Sequence, residues 1–212
     1  MDISSNLNNI KNEIPKNVTL VAVSKTKPIS DIKTLYQNGH KIFGENKVQE
    51  LLQKYEKLPK DIEWHMIGHL QRNKVKYIAP FVSLIHSIDT IKLLKEINKR
   101  AKENKRTING LLQVHIAKES SKFGFSNDEI NSILLESSDY KNVNIIGLMG
   151  MATFTNNQEQ IKEEFHALQS IFLKNQENLS VLSMGMSGDY KIAIEHGSNM
   201  IRIGSTIFGN RN

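Results

Sequence analysis

The chain has 212 residues, 39% of them hydrophobic, enough to build one continuous core, and carries a formal net charge of +6. It contains no cysteine, which excludes disulfides, thiolate nucleophiles and cysteine-ligated zinc. No run approaches the roughly 20 apolar residues that cross a bilayer, and Met1-Asp2-Ile3-Ser4-Ser5 is no leader, so a cytoplasmic protein with no membrane partner is expected.

From the start, short apolar runs alternate with longer amphipathic ones, the pattern of repeated strand-helix units around a parallel sheet. An amphipathic helix is predicted over Ile3–Ile10. A strand over Leu20–Ser24 and a helix over Ser30–Tyr36 follow, then a strand over Lys41–Gly44 and a helix over Val48–Lys57. The pattern continues with strands Glu63–Ile67, Leu84–Ser87, Asn109–Ile116, Asn144–Met149, Val181–Met184 and Met200–Ile203. Between them fall helices Lys74–Ala79, Ile91–Ala101, Asn127–Leu135, Glu159–Leu173 and Tyr190–His196. Eight strands without a linker or composition shift predict an α/β fold, a (β/α)8 TIM-type barrel forming a single domain over residues 1–212. The N-terminal helix is expected to cover the flank left open because the chain stops soon after the eighth strand. A doubly wound sheet is the alternative, but no G-x-G-x-x-G follows the first strand.

In such a barrel the working groups stand where strands end. The first strand delivers Lys25, with Pro28 just beyond. A lysine presented by a buried strand loses hydration, which favours the neutral amine and makes it a nucleophile toward an aldehyde. That chemistry points to pyridoxal 5'-phosphate held as a Schiff base. The second strand offers Glu45-Asn46, the third His65 and His69, the fourth His86 and Asp89, and the sixth Met149-Gly150-Met151.

The seventh and eighth strands supply what a phosphate needs. Ser187-Gly188-Asp189 precedes a helix, and Gly204-Ser205 follows the eighth strand, so both turns offer backbone N–H groups and hydroxyls. The two ends of the chain must then meet. Arg202 stands two residues before Gly204 on the same strand face, where its guanidinium can reach a cofactor ring. It cannot accept a proton, so facing a pyridine nitrogen it donates and leaves that nitrogen unprotonated.

Other patterns are weaker. Ser24-Lys25-Thr26-Lys27 fits S-x-x-K, but S-D-N and K-T-G are missing. His65 and His69 are four apart on a strand-like segment, with Met66 where H-E-x-x-H needs glutamate, so no metal is expected. The cations between Lys92 and Arg106 alternate with acids and have no aromatic-rich strand beside them, so no nucleic-acid partner is expected.

These residues lie in longer segments. They read Leu20-Val21-Ala22-Val23-Ser24-Lys25-Thr26-Lys27-Pro28, Phe43-Gly44-Glu45-Asn46, Trp64-His65-Met66-Ile67-Gly68-His69-Leu70-Gln71 and Ser121-Lys122-Phe123-Gly124-Phe125. Further on come Gly147-Leu148-Met149-Gly150-Met151-Ala152, Leu182-Ser183-Met184-Gly185-Met186-Ser187-Gly188-Asp189 and Ile201-Arg202-Ile203-Gly204-Ser205. In them the chain resembles the YggS/PROSC group of pyridoxal phosphate homeostasis proteins over nearly its whole length.

The resemblance implies a barrel like the N-terminal domain of alanine racemase. It implies the cofactor aldehyde on Lys25, Asn46 beside it, the phosphate at Ser187, Gly204 and Ser205, and Arg202 near the ring nitrogen. Met184 and Gly188 belong to the same cofactor-binding set. One departure is Gln113-Val114-His115, where Gln-Val-Asn is expected. The implied role is storing pyridoxal phosphate or delivering it to apo enzymes that use it; a monomer is expected. A racemase-like enzyme of low activity is the alternative, with little racemisation expected because the chain reaches Asn212 without the second domain that supplies a catalytic tyrosine in two-domain relatives.

Overall fold

The computed structural model of the protein describes residues 2–118 and 123–209; Ser121 and Lys122 of the motifs above lie outside the described residues. Eight parallel strands close into a barrel in chain order. They are β1 (Thr19–Val23), β2 (Ile42–Glu45), β3 (Glu63–Met66), β4 (Leu84–Ile88), β5 (Ile108–Gln113), β6 (Val143–Met149), β7 (Val181–Ser183) and β8 (Met200–Ile203). Helices stand outside: α1 (Ile3–Glu13), α2 (Ile29–Gln37), α3 (Val48–Lys57), α4 (Val75–Ile78), α5 (Ile91–Glu103), α6 (Ile130–Ser137), α7 (Gln158–Lys174), α8 (Tyr190–Glu195) and α9 (Ser205–Phe208).

Each strand is buried on both faces, which is why it reads as an apolar run without alternation. On β1, Leu20 and Ala22 face the helices, and Ala22 pairs with Phe43 in that outer core. Val21 points into the barrel with Leu84, Leu111, Met149 and Met200. Its register partner on β8 is Arg202, so that arginine also points inward.

The expected flank helix is present. Asp2 caps α1 by accepting the Ser4 N–H at 2.5 Å, and Leu7 and Ile10 are its buried stripe. Asn6 Nδ2 donates to the Ile207 carbonyl of α9 at 3.1 Å, and the Tyr190 hydroxyl of α8 donates to Glu13 at 2.8 Å. The helix therefore lies across the seam where the barrel closes.

Two elements depart from the sequence reading. The turn α9 was not expected; four residues carry too little periodicity to announce a helix. The fifth strand stops at Gln113 instead of running to Ile116. Beyond it the chain pairs with its own returning loop: His115 N–H donates to Phe125 O at 2.9 Å, Phe125 N–H to Gln113 O at 2.8 Å, and Gln113 Nε2 to Phe123 O at 2.8 Å.

Candidate cofactor-binding site

A cavity of about 750 Å³ opens at the carboxyl ends of the strands. It is lined by Lys25 after β1, Asn46 after β2, Arg202 on β8, and the two turns that carry Ser187-Gly188 and Gly204-Ser205. Apolar side chains such as Val23, Ile67, Met151 and Phe154 supply walls against which a flat ring can lie. Of the eight residues singled out in the sequence, seven meet here. Met184 does not line the cavity. It is fully buried in the outer core, and its N–H and C=O both engage Ser198 Oγ, at 3.2 and 2.8 Å. Alternation decides this: Ser183 faces the barrel interior opposite Met200, so its neighbour Met184 must face the helices.

The two phosphate-type turns touch. Gly204 N–H donates to Ser187 Oγ at 3.2 Å and Thr206 N–H to the same oxygen at 3.5 Å, while Arg202 N–H donates to Gly185 O at 3.0 Å. Asp189 holds the first turn by accepting the Met186 N–H at 2.6 Å. Gly185 sits at φ +91°, and a β-carbon there would lie 2.7 Å from that of Ala193. Gly185→Ala is expected to cost roughly 2 kcal/mol by combining this clash with a left-handed backbone. A urea midpoint within error of wild type would refute it.

Lys25, half-buried, is carried on a peptide fixed from both sides by groups of β2 and α3. Lys54 Nζ, on α3, donates to the Ser24 carbonyl, Glu45 Oε1 and Glu50 Oε1, each at 2.7 Å. The Ser24 hydroxyl donates to Glu45 Oε1 at 2.6 Å, and Thr26 N–H, at φ +65°, donates to Glu50 Oε1 at 2.6 Å. Burial raises the Glu45 carboxyl against the opposing pull of Lys54 and Ser24. Ser24 is thus a buried structural donor, which removes the S-x-x-K reading. Lys27 Nζ ties the same loop to the Phe208 and Gly209 carbonyls, at 3.0 and 3.2 Å, closing the β1 loop onto α9.

Arg202 is 4% exposed, so it is not part of a surface ion pair. Its Nη1 donates to Ser183 O at 3.0 Å and Ser183 Oγ at 2.6 Å, and its Nη2 to Gly150 O at 3.0 Å. Burial pulls the guanidinium down to about 10, so it stays cationic at neutral pH. Asn46 lies close against the loop after β3, so close that a β-carbon on Gly68 would collide with its backbone; Asn46 Oδ1 is buried at the cavity edge with no hydrogen-bond partner among the described residues. An orphan acceptor beside a lysine, a buried arginine and two amide-bearing turns fits a phosphorylated pyridine aldehyde.

His65 and His69 diverge: His65 is buried inside the barrel, whereas His69 is partly exposed, 3.0 Å from Asp89 and stacked on Phe123 at 4.1 Å between ring centroids. His115 does not line the cavity. Sequence reading missed Lys54 and Glu50, and also Glu164 of α7, which accepts from the Thr153 N–H at 2.6 Å and Oγ1 at 2.7 Å and so anchors the loop carrying Met151 and Phe154.

Residues 2–212 match the family described as alanine racemase, N-terminal domain. A pyridoxal phosphate homeostasis protein of Aquifex aeolicus is 40% identical over 197 residues, covering 91% of this chain and 86% of the relative. The chain belongs to the pyridoxal phosphate homeostasis group of the alanine racemase N-terminal domain family. Within that family, PipY of Synechococcus elongatus, 32% identical, superposes with a TM-score of 0.94 without PLP, covering 98% of this chain and all of that one, and 0.91 with PLP bound. An alanine racemase of Clostridium difficile shares the fold at a TM-score of 0.83 and 13% identity, covering 99% of this chain and 57% of that one.

Proposed function

We propose that this protein binds pyridoxal 5'-phosphate at the barrel mouth, links it reversibly to Lys25, and stores or delivers it as part of vitamin B6 homeostasis in the cytoplasm. The convergence of Lys25, Arg202 and the Ser187–Gly204 contact in one cavity carries this reading. Lys25 would supply the amine for a reversible Schiff base with the aldehyde. Ser187, Gly188, Gly204 and Ser205 would hold the phosphate, and Asn46 and Arg202 would face the ring, Arg202 as a hydrogen-bond donor. When bound, the cofactor supplies an electrophilic aldehyde and a conjugated ring.

The binding role is favoured over racemisation because the homeostasis relatives align over nearly all of both chains, whereas the racemase aligns over 57% of its own. Arg202 argues the same way. A cationic donor at the ring nitrogen makes the ring a weaker electron sink than a carboxylate partner would. Among the described residues no helix is long and apolar enough to cross a membrane. We further propose a monomer with apo PLP-dependent enzymes as recipients.

The deciding experiment is absorbance with hydride trapping. The loaded protein should show a visible band that borohydride removes, with the label on the Lys25 peptide, and Lys25→Ala should lose both band and label. Label on another lysine overturns the assignment. Steady racemisation of alanine or serine abolished by Lys25→Ala would establish the enzyme instead.

A further inference from the structure

Beneath the cavity floor, four polar side chains from four strands form one file inside the barrel: His65 of β3, His86 of β4, Ser183 of β7 and Arg202 of β8. None is more than 4% exposed. Interior positions of such a barrel are ordinarily filled by branched apolar side chains, as others here are by Val21, Leu84 and Leu111. A buried polar file is costly unless every member is satisfied. Here the contacts run without a gap. Arg202 Nη1 lies 2.6 Å from Ser183 Oγ, Ser183 Oγ 3.2 Å from His86 Nδ1, and His86 Nε2 3.0 Å from His65 Nδ1.

Arginine can only donate, so Ser183 Oγ accepts from it and keeps one hydrogen to give. With that hydrogen on His86 Nδ1, His86 carries its own on Nε2 and donates to His65 Nδ1, whose hydrogen is then on Nε2. This arrangement makes all three contacts and is the one in which His86 is the acceptor for Ser183. Burial holds both imidazoles neutral, His65 down to about 3 and His86 well below its ordinary value, where neighbouring His65 and then the Arg202 charge add to the effect.

We propose that His86, backed by His65, is a positioning residue for Arg202, acting through Ser183 to aim the guanidinium at an unprotonated pyridine nitrogen in the cavity. This deepens the reading of the site as one for pyridoxal phosphate and rests on it. With Nη1 spent on the two Ser183 oxygens and one Nη2 hydrogen on Gly150 O, the plane of the fork is set, and the donors that remain have a fixed direction. Without His86 as acceptor the Ser183 hydroxyl turns, competes with Arg202 for other acceptors, and the guanidinium gains freedom. The relay thus selects ligands whose ring carries a bare acceptor nitrogen.

The test uses the full chain titrated with pyridoxal phosphate, following affinity and the circular dichroism of the visible band, which reports ring orientation. His86→Leu should weaken binding by about tenfold, roughly the worth of one charge-assisted hydrogen bond, and change the sign or amplitude of the visible dichroism. His86→Gln, which returns an acceptor, should recover most of both. In an Arg202→Gln background, His86→Leu should add nothing further, since a residue acting through another is silent once that other is gone. If His86→Leu does not fold, Ser183→Ala cuts the same link and carries the same expectation. Unchanged affinity and dichroism in either variant, or full additivity with Arg202→Gln, overturns the relay. Wild type that fails to bind the cofactor overturns the underlying site reading instead, so the two failures are distinct.

Discussion

Replacing Lys54 by methionine should destabilise the protein by about 3–5 kcal/mol, the cost of leaving a buried charge without its partner. The Lys54 amine is the common donor to Ser24 O, Glu45 Oε1 and Glu50 Oε1, and Glu45 is fully buried, its Oε2 without a partner among the described residues. Without it two carboxylates approach each other with only Ser24 and Thr26 donating to them. The folded protein would then keep Glu45 protonated, its carboxyl raised further than burial already raises it. An acid with a raised folded value loses stability as pH climbs above its unfolded value, so the deficit of the variant should be larger at pH 8 than at pH 5.

Glu45→Gln in the same chain should recover about half of the loss by removing the stranded charge. Urea unfolding of the single and double variants reads all of this. A loss under about 1 kcal/mol, or one insensitive to Glu45→Gln, would show the cluster to be dispensable. Because the same amine holds the Ser24 carbonyl beside Lys25, the variant should also slow hydride-trapped labelling of Lys25, even under conditions where it is fully folded.

How the lysine loop is held was hidden in the sequence, whereas the lysine itself was legible. Lys25 announces itself because an apolar run ends on it. The clamp depends on which way α3 turns over the barrel mouth, and an amphipathic pattern gives a stripe without saying what lies under its ends. Lys54 falls three residues after buried Leu51 and four after Glu50, so it sits on the buried stripe next to an acid, a signal visible in hindsight of the register. His65 and His86 were marked as strand-end residues at the cavity. The closed barrel turns them inward instead, where they meet Ser183, a residue from more than 90 positions away. Met184 turns away from the cavity for a related reason: a loop motif marks which residues are near it, but the pleat decides which side chain faces it. The strand ends themselves, and the meeting of Ser187 with Gly204, follow from local pattern plus the closure rule of the fold, which is why they were accessible without coordinates.

Acid is the condition under which the inward histidines should dominate stability. His40, His65 and His86 are buried and neutral; burial takes His40 down to about 4 and His65 to about 3, and His86 is well below its ordinary value. In the unfolded chain all three return to about 6.5. Above that pH neither state binds these protons and stability is flat. As pH falls below it, the unfolded state takes up protons that the folded state refuses, so stability drops by about 1.4 kcal/mol per pH unit for each group, together about 4 kcal/mol per unit. For His40 the loss ends once pH passes about 4, and for His65 about 3. A protein of ordinary stability, about 5–15 kcal/mol, should therefore melt in acid well before its carboxylates titrate fully. The urea midpoint of the cofactor-free protein should fall steeply between pH 6.5 and 5. His40→Gln, which keeps a polar group near the Ile42 carbonyl that His40 contacts at 2.9 Å, should remove about one third of that slope. A midpoint unchanged between pH 7.5 and 5 would mean that the histidines take up protons without unfolding, and the barrel interior would then have to admit charge that its geometry leaves no room to solvate.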